Sequence, residues 1–170
     1  MSIKWFGAAL ILAGCGGFGF TMAAGIRQQV RLLTELGQIL DFFETELQYR
    51  LTPLPELMAQ AAVESRGVLK KIFRELSVHL KKQEYSDAAS CMDTVLEHYD
   101  DLPVRVRKHL RHLGHSLGKY DLPGQLRGLQ SVRGACMNDL LRLQNNSDVR
   151  QRSYQTLALC AGSALVILFV

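Results

Sequence analysis

The chain has 170 residues, a hydrophobic fraction of 48%, a mean hydropathy of +0.03 and a formal net charge of +4. Those averages suit an ordinary globular protein, but residues 27–152 hold 19 of the 20 Lys and Arg and all 16 Asp and Glu. That middle segment has a net charge of only +3, which excludes a dedicated nucleic-acid binder with a strongly basic face.

The first element is an uncharged run of 22 residues, Trp5 to Ile26, bounded by Lys4 and Arg27. A bilayer-spanning helix needs about 20 apolar residues, so residues 1–26 are expected to form a transmembrane helix. A cleavable signal peptide would use Lys4 as its charged region and Met22-Ala23-Ala24 as its cleavage site. The run is longer than the roughly 7–15 residues of a signal core, and no breaker separates it from the helical pattern that follows. Ala9, Ala13, Gly17, Thr21 and Gly25 recur every four residues. Such a small-residue stripe lets helix backbones approach closely in lipid, although Gly and Ala are also simply common there.

The middle segment, 27–152, is long enough for one domain and hardly for two. Val30, Leu33, Leu36 or Gly37, Leu40, Phe43 and Leu47 mark an apolar helix face, continuous with the first run and ending near Leu51. Thr52 is expected to cap a short second helix, with Pro53 at its first position, running to about Val63. Gly67 marks a break. Leu69, Ile72 or Phe73, Leu76 and Leu80 then define a third helix, with Lys70, Lys71, Arg74, Lys81 and Lys82 on its wet side.

Ser86 is expected to cap a fourth helix through Leu96 to about Tyr99. Asp100-Asp101-Leu102-Pro103 starts a fifth, on which Val106, Leu110, Leu113 and Leu117 form a stripe, with Gly118 at its end. Asp121 caps a sixth, carrying Leu122, Leu126, Leu129, Val132, Cys136, Leu140 and Leu143. It either runs straight into the second uncharged segment or kinks at Asn145-Asn146-Ser147. That segment, 18 residues from Ser153 to Val170, is the second expected span, with Ala158 and Gly162 as its own small-residue pair. No strand alternation competes anywhere. The fold class expected is all-α, an antiparallel bundle of about six helices between two transmembrane helices. Pairing the first and last body helices would set the two spans side by side.

Arg27, Arg31, Arg142, Arg150 and Arg152 flank the runs on the body side, against Lys4 beyond them. The positive-inside rule then puts the body in the cytoplasm. Cys15 and Cys160 lie in the uncharged runs, while Cys91 and Cys136 have no framework spacing. Free thiols in a reducing compartment are expected.

Functional chemistry is sparse. His109, His112 and His115 share one side of the fifth helix, where three imidazoles would suit zinc. Arg105, Arg107, Lys108, Arg111 and Lys119 surround them, no carboxylate lies between Asp101 and Asp121, and HExxH is absent. No metal, cofactor or catalytic residue is expected, and a His-cluster metalloenzyme stays as the alternative. The basic face around Arg107, Lys108 and Arg111 suits an anionic partner or lipid headgroups. With Tyr120 as the sole aromatic nearby, base stacking lacks a platform, so nucleic acid is not expected as a partner. Glu44, Glu46 and Glu56, near Asp41, form a candidate acidic partner-binding patch. No phosphate loop or nucleophile elbow occurs.

Phe43-Glu44-Thr45-Glu46-Leu47-Gln48-Tyr49, Thr52-Pro53-Leu54-Pro55-Glu56, Leu113-Gly114-His115-Ser116-Leu117-Gly118, then Asp121, Gln125 and a terminal run from Gly162 to Val170 follow in a characteristic order. With the length and the two end runs, that order resembles the stage III sporulation protein AB family across essentially the whole chain. The resemblance implies a membrane protein of the mother cell, in the outer forespore membrane. Its helical domain would be similar to the platform (F family) protein of type II secretion and type IV pilus machines. Expected partners are other subunits of a channel complex, among them a secretion-type ATPase, with a homo-oligomer also possible. Phe43 stands where leucine is commoner in that family. Gly124, Gly128 and Gly134 make the sixth helix unusually glycine-rich, which puts its rigidity in question.

Overall fold

In a computed structural model, the backbone is described for residues 2–85, 87–118 and 121–169, and the side chains for 25–85, 87–118 and 121–145. The described residues form six α-helices: α1 (Ser2–Tyr49), α2 (Leu54–Glu64), α3 (Gly67–Lys82), α4 (Ala88–Glu97), α5 (Val104–Ser116) and α6 (Leu122–Phe169). The chain divides into two units, Arg31–Leu140 and a second made of Met1–Val30 with Leu141–Val170. In the second unit the described backbone is helical, and α6 continues through Asn145-Asn146-Ser147 without a break.

Most of the expected span residues, including Ala9, Ala13, Gly17, Thr21, Ala158 and Gly162, lie outside the described side chains. At Gly25, which is described, an added Cβ would meet nothing within 4 Å. Among the described residues, no helix is long and apolar enough to cross a membrane.

The core belongs to the unit Arg31–Leu140. The α1 stripe is buried as its spacing requires: Leu33, Leu36, Leu40, Phe43 and Leu47 all face inward, joined by Leu32 and Ile39. From α6, Leu129, Val132 and Cys136 face the same core. The two helices run antiparallel there. Cys136 Sγ donates to the Leu33 carbonyl at 3.4 Å, Arg133 pairs with Asp41, and Gln130 donates to Glu44 at 2.8 Å.

A tight hairpin joins α2 and α3 and buries Leu57, Met58 and Ala61 with Leu69, Ile72 and Leu76. Ser77 Oγ donates across it to the Pro55 carbonyl at 2.9 Å. Phe73 meets Phe43 of α1 edge to face, with ring centroids 5.9 Å apart. That geometry suits the aromatic quadrupole and adds to the area the two rings bury. From α4, Cys91, Met92, Val95 and Leu96 close the core, together with Val106, Leu110 and Leu113 of α5.

Two helix starts differ from the sequence expectation. Pro53, with φ −57° and ψ 142°, is itself the cap residue of α2, and its carbonyl accepts from Leu57 N at 2.9 Å. Its fixed φ suits that position and leaves Pro55 in the first turn, where a missing N–H is harmless. Thr52 instead donates its hydroxyl to Glu46 at 2.8 Å. At α4 the cap is Asp87, one residue after Ser86, and its carboxylate accepts from Ser90 N at 2.7 Å. Ser86 itself lies outside the described residues. Asp121 does cap α6, accepting from Gly124 N. Gly118, at φ +76°, supplies the left-handed residue after α5.

Candidate interaction surfaces

The basic helix α5 is largely neutralised from other elements. Arg105 donates to Asp139 of α6 at 2.8 Å, and Arg111 donates to Asp93 of α4 at 2.7 Å. Arg107 donates to the Tyr99 carbonyl at 2.6 Å and lies 3.9 Å from Asp100. Lys108 is exposed and has no ion pair among the described residues.

The three histidines do not converge. His109 is 3% exposed and bonds Asp139 through Nε2 at 3.0 Å, whereas His112 and His115 face outward. Burial lowers the His109 pKa, against the opposing hydrogen bond and charge of Asp139. Among the described residues, no three His, Cys, Asp or Glu side chains stand close enough to hold a metal ion.

The acidic patch is divided in the same way. Glu46 is buried, accepts from Thr52 and lies 3.3 Å from Arg50. Glu44 accepts from Gln130 and lies 3.9 Å from Arg133. Glu56 is exposed in the first turn of α2, where the helix dipole favours an anion.

A junction that sequence spacing did not reveal centres on Glu75. It accepts from Tyr99 Oη at 2.8 Å and meets His98 Nδ1 at 2.7 Å, tying α3 to the end of α4. Burial, then the bond and charge of Glu75, push the Tyr99 pKa up to about 12. A cleft of about 400 Å³, lined by Arg31, Thr34, Glu35, Gln38, Glu64 and Arg66, is open and polar. One wall is fastened by Arg66 N, which donates to the Glu35 carboxylate at the start of α3. A surface cleft walled by charged and polar side chains suits binding better than catalysis.

Against known families, residues 4–170 match the model described as stage III sporulation protein AB. The chain belongs to that family. A solved structure of a stage III sporulation protein AB is similar to it with a TM-score of 0.62 and 21% identity, over 69% of this chain and 94% of that one. At that identity the likeness speaks for the fold. A search of the curated proteins finds no match. This member of the stage III sporulation protein AB family is thus an all-α sporulation protein whose helical body carries its described core.

Proposed function

We propose that the chain is a non-enzymatic platform subunit of a sporulation transport or channel complex linking mother cell and forespore. Residues 1–26 and 153–170 are its two membrane spans. The body, 27–152, stands in the mother-cell cytoplasm at the outer forespore membrane. It docks other subunits of the complex, a secretion-type ATPase among them, in the manner of the secretion platform (F family) proteins it resembles. One observation carries most weight: the family match runs from residue 4 to residue 170 and so takes in both uncharged runs as well as the body.

Docking falls to the side chains that the fold leaves available. Glu56 and Lys108 are exposed, whereas Glu44, Glu46, Arg107 and Arg111 have partners within the body. The last four contribute by holding the helices that present the surface. In the spans, Ala9, Ala13, Gly17, Thr21 and Gly25, with Ala158 and Gly162, are proposed as close-packing positions toward each other or toward a second copy.

The test is crosslinking of the full chain in sporulating cells, with Glu56→Lys and Lys108→Glu as variants. The reading expects crosslinks from the body to other membrane subunits, weakened several-fold in variants that keep their helicity. A body that crosslinks to no other subunit would overturn it.

A further inference from the structure

Helix α3 has a face that the fold does not use. Its inner side is Leu69, Ile72, Phe73, Leu76 and Ser77, all buried. At 3.6 residues per turn, Lys70, Lys71, Arg74, Val78 and Lys81 fall within an arc of about 100° on the opposite side. All four cations are exposed, and Val78 is 44% exposed among them. Among the described residues none of the four has a carboxylate within ion-pair distance. Arg50, Arg105, Arg111 and Arg133, by contrast, are each paired with an acid of the body.

The arrangement works against the helix that carries it. Lys70 and Arg74 stand one turn apart, where like charges repel. Lys70 also sits in the first turn of α3, which holds no acid, at the end of the dipole that favours anions. Stability alone would place a carboxylate at one of these positions. A uniform, unpaired cationic stripe broken only by a valine is complementary to something that arrives from outside.

We propose that this face of α3 docks an acidic amphipathic helix of a partner protein. The proposal deepens the platform reading and rests on it. From Lys70 to Lys81 the stripe extends about 16 Å, or three turns. It matches carboxylates repeated at one-turn spacing on a facing helix, with Val78 against an apolar side chain between them. A lipid surface is a poorer fit, since interfacial helices insert large apolar side chains beside their cations, whereas Leu69, Ile72, Phe73 and Leu76 of α3 are in the core. RNA or single-stranded DNA would need stacking aromatics, and the stripe carries none.

The experiment replaces Val78 by photoreactive benzoylphenylalanine in the full chain, in sporulating cells, and sequences the crosslinked peptides. The expected product is a crosslink to a segment with carboxylates at helical spacing. Its yield should fall at least about tenfold, equivalent to about 1.4 kcal/mol, in the combined Lys70→Glu, Arg74→Glu, Lys81→Glu variant. It should return when the facing carboxylates of the partner are changed to lysine. Unchanged helicity and melting of the variant show that these exposed changes leave the fold intact. An unchanged yield, a product with lipid or nucleic acid alone, or a partner segment without acidic excess overturns the proposal. The same probe in place of Lys108 separates the two readings. Crosslinks from there but not from Val78 remove the α3 site and leave the platform standing; silence at both positions removes both.

Discussion

His109 Nε2 lies 3.0 Å from Asp139 Oδ2, and this contact fastens α5 to α6 across 30 positions of sequence. Arg105 occupies the other oxygen of the same carboxylate at 2.8 Å. Among the described residues the buried Nδ1 of His109 has no hydrogen-bond partner. The neutral imidazole with its proton on Nε2 fits this site: the N–H donates to Asp139 and only a lone pair faces the apolar side. Protonation would create a buried donor without an acceptor.

The pH dependence follows from that geometry. Burial lowers the His109 pKa more than Asp139 raises it, and the charges of His112 and Lys108 act in the same direction as burial. Below the ordinary value of 6.5 the unfolded chain therefore binds more protons than the folded one, so stability rises with pH. The contribution is fully present above that value and is lost as pH falls toward the folded pKa. Thermal unfolding of the full chain in detergent should show a melting temperature that climbs between about pH 5 and 7. His109→Gln should flatten the climb; an identical slope in the variant would assign it to another group.

Asp139→Ala should be more damaging than Asp139→Asn, because it leaves both Arg105 and the buried His109 without an acceptor. A loss of about 1–3 kcal/mol is expected for the alanine variant, read from denaturant midpoints. Equal losses in the two variants would mean that the negative charge, which both remove, rather than the acceptor that asparagine keeps, holds Arg105 and His109.

Glu46 and Glu56 should behave oppositely despite their similar place in the sequence. The Glu46 side chain is 8% exposed and holds Thr52 and Arg50 at the α1–α2 turn. Glu46→Lys puts an unpaired cation into that site and should destabilise the body by about 3 kcal/mol or more. Glu56→Lys should change stability by no more than about 1 kcal/mol, mostly through the helix dipole. Parallel urea titrations compare them directly, and a tolerated Glu46→Lys would contradict the buried placement.

The helical glycines separate into two kinds. A Cβ on Gly114 would stand 2.7 Å from Met92 Cβ, and one on Gly128 would stand 2.7 Å from Ser116 Cβ. Gly114→Ala and Gly128→Ala should each be destabilising by about 1–3 kcal/mol. At Gly134 a Cβ meets nothing within 4 Å, so Gly134→Ala should stabilise α6 by up to about 1 kcal/mol. Stabilisation at Gly114 or Gly128 in thermal melts would refute the close approaches, and destabilisation at Gly134 would refute the open space there.

Much of this architecture is legible in the sequence. Leu33, Leu36, Leu40, Phe43 and Leu47, and later Val106, Leu110, Leu113 and Leu117, are buried as their three- and four-residue steps require. Periodicity reports which face of a helix turns inward. It does not report what that face meets. The acids that neutralise α5, Asp93 and Asp139, lie 18 and 34 positions from Arg111 and Arg105, so a carboxylate-free stretch of sequence became a paired surface. Spacing alone also grouped His109 with His112 and His115, although a few tens of degrees around the helix separate core from solvent. The α3 stripe reads in sequence as an ordinary wet face; it stands out only once Arg50, Arg105, Arg111 and Arg133 are seen to be paired.

The proposed function makes the chain a membrane-embedded subunit working within a larger assembly. Its most direct test is native mass measurement of the full chain extracted by mild detergent from membranes of sporulating cells, after an alkaline wash that strips peripheral proteins. The chain should resist the wash and be recovered in a complex well above its own 19.0 kDa, together with other membrane subunits. Release by the wash, or recovery as a lone 19.0 kDa chain, would contradict it.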